Sequence, residues 1–320
     1  MILRTEARPA VALSADGRLL DLLRRSRRRG ESLTVHSVFA RAINLLSDAG
    51  RLVTLAAEGA DDAPWTLRAA VADWSSILLA AGDRIRITGS TLTLPSGAPL
   101  LTDWEASEPW SAAPLVAGDG AAFDVLAQSL DDWLARHGVA GGMLGSSSSG
   151  PFEAVVHERL ARGSEALSEA IIWYSKTGQE EFLGQENVLD QAILQLLGLG
   201  SGLTPAGDDH LCGLALLAAR PGSRMRGLGE RLLAVLDSHP ARTTAVSEAT
   251  LREAAEGRAR QSLLELLNGM LAVAPRDGEP LEHVQAQLVR VRAIGRTSGT
   301  DILSGLSAGL HVERELRGSV

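Results

Sequence analysis

Lysine is all but missing from this chain of 320 residues: Lys176 stands alone against thirty arginines. With no Gly-Lys-Ser/Thr sequence there is no Walker loop, and a Schiff-base mechanism has only Lys176 to rest on. Cysteine is equally scarce. Cys212 is the single one, so an intrachain disulfide and zinc-type His/Cys spacing are both excluded and a reducing cytoplasm is expected. No apolar run reaches transmembrane length and the N-terminus lacks a signal-peptide core, so no membrane association is expected. The net charge of -8 argues against a nucleic-acid partner. The short basic run Arg24, Arg25, Arg27, Arg28 and Arg29 reads as a solvated helix end or loop.

The chain has an ordinary apolar fraction of 45% and enough length for two domains. Residues 1–115 carry strand signals: Ser32–Phe39, Leu52–Leu55, Thr66–Val71, and the alternating pair Asp83–Thr88 and Ser90–Leu94 around Gly89. Ala40–Leu46 reads as a short helix between strands, since Ala42, Ile43 and Leu46 share a helical face. After a Pro/Ala/Gly/Ser-rich boundary at 105–120, the spacing turns helical. Helices are expected over about 123–137, 152–175, 185–197, 208–219, 225–238, 244–270, 279–293 and 300–316. Gly141–Gly150, with its serine run, reads as a mobile loop or lid. The expected class is α+β: a mainly β, barrel-like domain over 1–115, then an all-α domain over 116–320.

The chemistry concentrates in Leu199-Gly-Ser-Gly-Leu-Thr-Pro-Ala-Gly-Asp-Asp-His-Leu-Cys-Gly213. Thr204 then Pro205 reads as N-cap followed by first helical residue. Gly202 and Gly207 let a ligand approach the backbone. Asp208 and Asp209 suit a helix cap, a metal or a polar ligand. An echo lies at Gly295-Arg-Thr-Ser-Gly-Thr-Asp-Ile-Leu-Ser-Gly-Leu306. It pairs Thr204 with Thr297, Asp209 with Asp301 and Gly213 with Gly305. Two such helix starts, with Ser298 beside Thr297, make a donor-rich pocket if they converge. Thr243, Thr244 and Ser247 form a third hydroxyl cluster at a helix start, equally suited to capping. In the β domain His36 and Asn44 are secondary binding candidates. Cys212, among leucines, reads as core rather than nucleophile.

These motifs, together with Val35-His-Ser-Val-Phe-Ala-Arg-Ala-Ile-Asn44, resemble the AllH family, named for a subunit of the oxamate carbamoyltransferase of allantoin breakdown. The resemblance spans nearly the whole chain. It implies a carbamoyltransferase subunit in purine catabolism that works with AllF-like and AllG-like partners. The implied reaction converts oxalurate and phosphate to oxamate and carbamoyl phosphate. On this reading Thr204, Gly207, Thr297 and Ser298 contact a phosphate or carboxylate, while Asp208, Asp209 and Asp301 meet a substrate N–H or a divalent metal. Oxygen ligands favour Mg2+ for such a metal. Two other readings stay open: a stand-alone metal-dependent hydrolase with Asp208 and Asp209 holding an activated water, and a non-catalytic scaffold or regulatory subunit.

Overall fold

The structure is a computed structural model that describes residues 9–118, 122–145, 150–177, 182–183, 186–272 and 281–318. It divides into two compact units, Met1–Ala112 and Ala113–Val320. The serine run 146–149 lies outside the described residues.

The first unit is a closed barrel. Strand β1 (Ala10–Asp16) leads into helix α1 (Gly17–Arg29), followed by β2 (Ser32–Phe39), β3 (Ala42–Leu46), β4 (Leu52–Ala57), β5 (Thr66–Ala69), β6 (Arg84–Thr88), β7 (Thr91–Thr93), β8 (Pro99–Thr102) and β9 (Glu108–Trp110). The sheet runs β5-β4-β3-β2-β6-β7-β8-β1, and β1 closes it by pairing antiparallel with β5. Closure leaves no free edge among these eight strands. Leu33, Val35, Ile43, Leu45, Val53, Leu55, Leu67, Ile85 and Leu92 fill the interior. Helix α1 lays Leu19, Leu20 and Leu23 on this core, and Asp16 caps it by accepting from Arg18 N. It stops at Gly30, whose left-handed φ of 68 lets its N–H reach back to Arg27 O. The arginine run is therefore a helix end, with Arg25, Arg28 and Arg29 exposed and Arg27 paired with Glu105 over the Trp104 ring.

One local expectation is overturned. Ala42–Leu46 is strand, not helix, because Phe39 pairs Ala42 across a two-residue hairpin and β3 is hydrogen-bonded on both sides, to β2 and β4. Ladder pairing on both edges outweighs the helical leaning of Ala and Leu. Asn44 thus sits on a strand, 4% exposed. Its Nδ2 donates to Ser37 Oγ at 3.1 Å and its Oδ1 accepts from Thr54 Oγ1 at 2.9 Å. His36 sits at a register shift of β2, with Nδ1 3.1 Å from Ser37 Oγ. These contacts tie three strands together.

The second unit is helical, apart from a small hairpin of β10 (Phe182–Leu183) and β11 (Glu186–Asn187). Among the described residues its helices are α2 (Phe123–His137), α3 (Pro151–Thr177), α4 (Val188–Leu196), α5 (Ala206–Ala218), α6 (Leu228–Ser238), α7 (Ala245–Ala255), α8 (Gln261–Ala272), α9 (Gln285–Arg292) and α10 (Ser298–Arg317). The single helix expected over 244–270 is two, because the chain turns at Gly257, φ 73, where Gly257 N bonds Ala254 O. Helix α5 is buried along Ala206–Leu217, as expected for a helix with few polar positions on any face. Among the described residues no helix is long and apolar enough to cross a membrane.

Candidate functional site

Helices α5 and α10 lie side by side and run the same way. A Cβ on Gly213 would overlap Ile302 O and come within 2.9 Å of Leu306 N; one on Gly305 would overlap His210 O. One on Gly309 would meet Leu217 Cδ2 at 2.7 Å. The contact thus advances along both helices together, and only glycine permits backbones this close. Asp209 precedes Gly213 by four residues, and Asp301 precedes Gly305 by four. Each carboxylate therefore sits one turn up on the face that meets the other helix. At the same end the Thr204 and Ser298 hydroxyls touch at 2.9 Å.

The two carboxylates are buried with incomplete bonding. Asp209 is 5% exposed and Asp301 is 0% exposed, and Oδ2 of each has no hydrogen-bond partner. Burial, opposed by the neighbouring Ser298 and Thr204 hydroxyls and reinforced by the charge of Asp301, lifts Asp209 to about 7. Asp301 is lifted to about 6, again by burial, against the Met143 N–H and the Thr297 hydroxyl. Desolvation wins over the favourable position of a carboxylate in the first turn of a helix. Met143 N reaches Asp301 Oδ1 at 2.7 Å from the tight turn Gly141–Gly145. The described part of the expected lid is thus a turn seated on Asp301, and Gly142 holds a φ of 53 there, where a Cβ would strike the carboxylate.

Asp208 behaves differently. Its Oδ1 accepts from Gly198 N at 2.7 Å and its Oδ2 accepts from Thr243 Oγ1. Burial still raises its pKa, against the Gly198, Thr243 and Ser247 groups. It ties the end of α4 to the start of α7 and does not join the other two carboxylates. Among the described residues no group of three or more His, Cys, Asp or Glu side chains is placed to hold a metal. For Mg2+ the site thus offers the free oxygens of Asp209 and Asp301, and not those of Asp208.

The remaining candidates separate by role. Helix α5 has Pro205 as its N-cap and Ala206 as its first residue, so Thr204 is not the cap. Its hydroxyl faces Ser298 and Asp209 instead. Gly207 is packed against Leu196 O, leaving no room for a ligand at its Cα. Gly202 lies in the open, with φ 103. Thr244 caps α7 by accepting from Ser247 N at 3.1 Å, and it donates to Leu203 O at 2.7 Å. Ser247 is 2% exposed and lies beside Asp208. His36 and Asn44 belong to the barrel unit. Lys176 is half-exposed and paired with Glu315 at 3.0 Å. Cys212 is buried, with its thiol pushed up to about 12 by burial and by Asp209, so it is inert.

Sequence reasoning passed over His210 inside the motif. Ser304 Oγ donates to Asp301 O at 2.7 Å, which leaves its lone pair to accept from His210 Nδ1 at 2.9 Å. Nε2 then accepts from Ser164 Oγ at 3.0 Å. A Ser–His–Ser chain has the outline of a nucleophile, base and orienting group. Full burial, however, pushes the imidazole down to about 4, which makes it a weak base. His210 is a neutral pin joining α3, α5 and α10.

No solved structure matches the chain significantly. A family model described as oxamate carbamoyltransferase subunit AllH matches residues 196–310, which include both carboxylates and both contact glycines. The AllH family N-terminal domain model matches residues 11–108, the barrel. Together the two matches take in both units, and the chain belongs to the AllH family of oxamate carbamoyltransferase subunits.

Proposed function

We propose that this chain serves an oxamate carbamoyltransferase-type complex by holding the substrate amide at the Asp209–Asp301 pair. Its partners would be AllF-like and AllG-like subunits, and the complex would act in allantoin catabolism. The observation that carries the reading is the pair of buried carboxylate oxygens without partners at two adjoining helix starts. Unpaired buried acceptors are costly, and a ligand N–H relieves them. The Thr204 and Ser298 hydroxyls beside Asp209 and the Thr297 hydroxyl beside Asp301 hold the two carboxylates in position for it.

In the transfer, the oxamate nitrogen attacks the carbamoyl carbon of carbamoyl phosphate. A C–N bond forms, the C–O bond to phosphate breaks, and the nitrogen gives up a proton. A carboxylate titrating near 7 is matched to accept that proton and to return it in the reverse direction, and Asp209, at about 7, has that property. Oxalurate formation from oxamate and carbamoyl phosphate, measured with the partner subunits present and this chain included or left out, tests the reading. Turnover that depends on this chain is expected. Equal turnover by the partners without it would end the proposal.

A further inference from the structure

The two helix starts match position by position. In each, the glycine of Gly-x-Asp packs on backbone carbonyls ahead of its helix: Gly207 on Leu196 O and Leu199 O, Gly299 on Val291 O. The next residue pins the N–H of a neighbouring loop. Asp208 accepts from Gly198 N at 2.7 Å, and Thr300 accepts from Val139 N at 3.0 Å. The third residue, Asp209 or Asp301, lies beside the threonine of its own half, Thr204 or Thr297, and Asp209 also meets Ser298 of the other half. Each ends in an Oδ2 without a partner, at 5% or 0% exposure. Each half thus carries one buried, unpartnered acceptor one turn above the glycine contact that joins the two helices.

Deepening the reading above, on which it rests, we propose that Asp209 and Asp301 read the two N–H bonds of one unsubstituted carboxamide or ureido NH2 group. Each carboxylate accepts one hydrogen. No ion pair to either carboxylate occurs among the described residues, so the ligand must bring the donors. A phosphate or carboxylate would meet like charge there. An NH2 of an amide has two coplanar N–H bonds and no third, so two acceptors satisfy it completely. An ammonium or guanidinium group would keep further donors unpaired in a buried place, and a metal would need ligands beyond these two side chains.

The test is a calorimetric titration of the purified full chain with oxamate, with N,N-dimethyloxamate and with MgCl2 alone. Oxamate is expected to bind, and its dimethyl analogue to bind at least about a hundredfold more weakly, since it leaves both acceptors unpaired. Asp209→Asn and Asp301→Asn should each weaken oxamate by a similar factor, about tenfold or more. The inference is overturned by comparable binding of the dimethyl analogue, by an absolute need for Mg2+, by unequal effects of the two variants, or by no oxamate binding at all. The broader reading fails separately, by turnover that does not need this chain.

Discussion

Asp209→Asn is expected to make the free chain more stable at pH 8 and to change little at pH 4. In the folded chain Asp209 titrates at about 7, held up mainly by burial, against 3.8 when unfolded. Between those values the native state binds more protons than the unfolded state, so stability falls as pH rises from about 4 to about 7. Below the unfolded value both states are protonated and the penalty vanishes; above the folded value it is fully present. A displacement of this size is worth on the order of 4 kcal/mol. An amide in the same place has no charge to desolvate, so the variant should recover roughly 2–4 kcal/mol at pH 8. Asp301→Asn should show a smaller version shifted to lower pH, because Asp301 reaches only about 6. Urea denaturation of both variants from pH 4 to pH 8 measures this. A pH-independent difference, or destabilisation at pH 8, would sink the account of the pair.

Gly305→Ala should do the opposite. Its new Cβ would run into the His210 carbonyl, and the equivalent change at Gly213 into that of Ile302. Backbone cannot rotate aside as a side chain can, so α5 and α10 must part. Each substitution should cost about 3 kcal/mol, the upper range for overpacking. Gly309→Ala is the control. There the obstacle is Leu217 Cδ2, the far end of a flexible side chain, and the cost should stay below about 1 kcal/mol. Parting the helices also lets water reach the buried carboxylates, so Gly305→Ala should flatten the stability loss between pH 4 and pH 7. Equal, small effects at Gly305 and Gly309 would mean the helices are not held by backbone contact.

These expectations show which parts of the sequence carried structural information. The pairing of the two helix starts was legible because its geometry is written at fixed spacing: Asp then Gly four residues on, in two copies, places each carboxylate above the contact that joins the helices. Separating Asp208 from Asp209 needed the structure. Adjacent residues on a helix point about 100° apart, and nothing in the Asp-Asp pair says which one faces α10. The second copy does hold that information. It keeps Asp301 where Asp209 stands and has Thr300 in place of Asp208, so the loop-pinning position accepts either residue type.

The barrel was legible where strands alternate, as in β6 and β7, and illegible where they do not. In β1 the buried positions are Ala10, Ala12, Ser14, Ala15 and Asp16, while Val11 and Leu13 are 47% and 39% exposed. The alternation there runs against the usual sense, and the strand that closes the barrel gives no hydrophobic signal. Strand β3 failed for another reason: its Ala-Ile-Asn-Leu-Leu suits a helix locally, and pairing to strands on both sides decides the matter. His210 escaped notice because its partners, Ser164 and Ser304, lie 46 and 94 residues away.

The measurement closest to the central claim is turnover by the reconstituted complex carrying Asp209→Asn. The substitution keeps size and shape and removes the proton acceptor, so oxalurate formation from oxamate and carbamoyl phosphate should fall about a hundredfold or more at pH 7.5. The complex should still assemble, and the variant chain should be at least as stable as the original. An unchanged rate in an intact complex would contradict the claim and leave the Asp209–Asp301 pair without a part in the reaction.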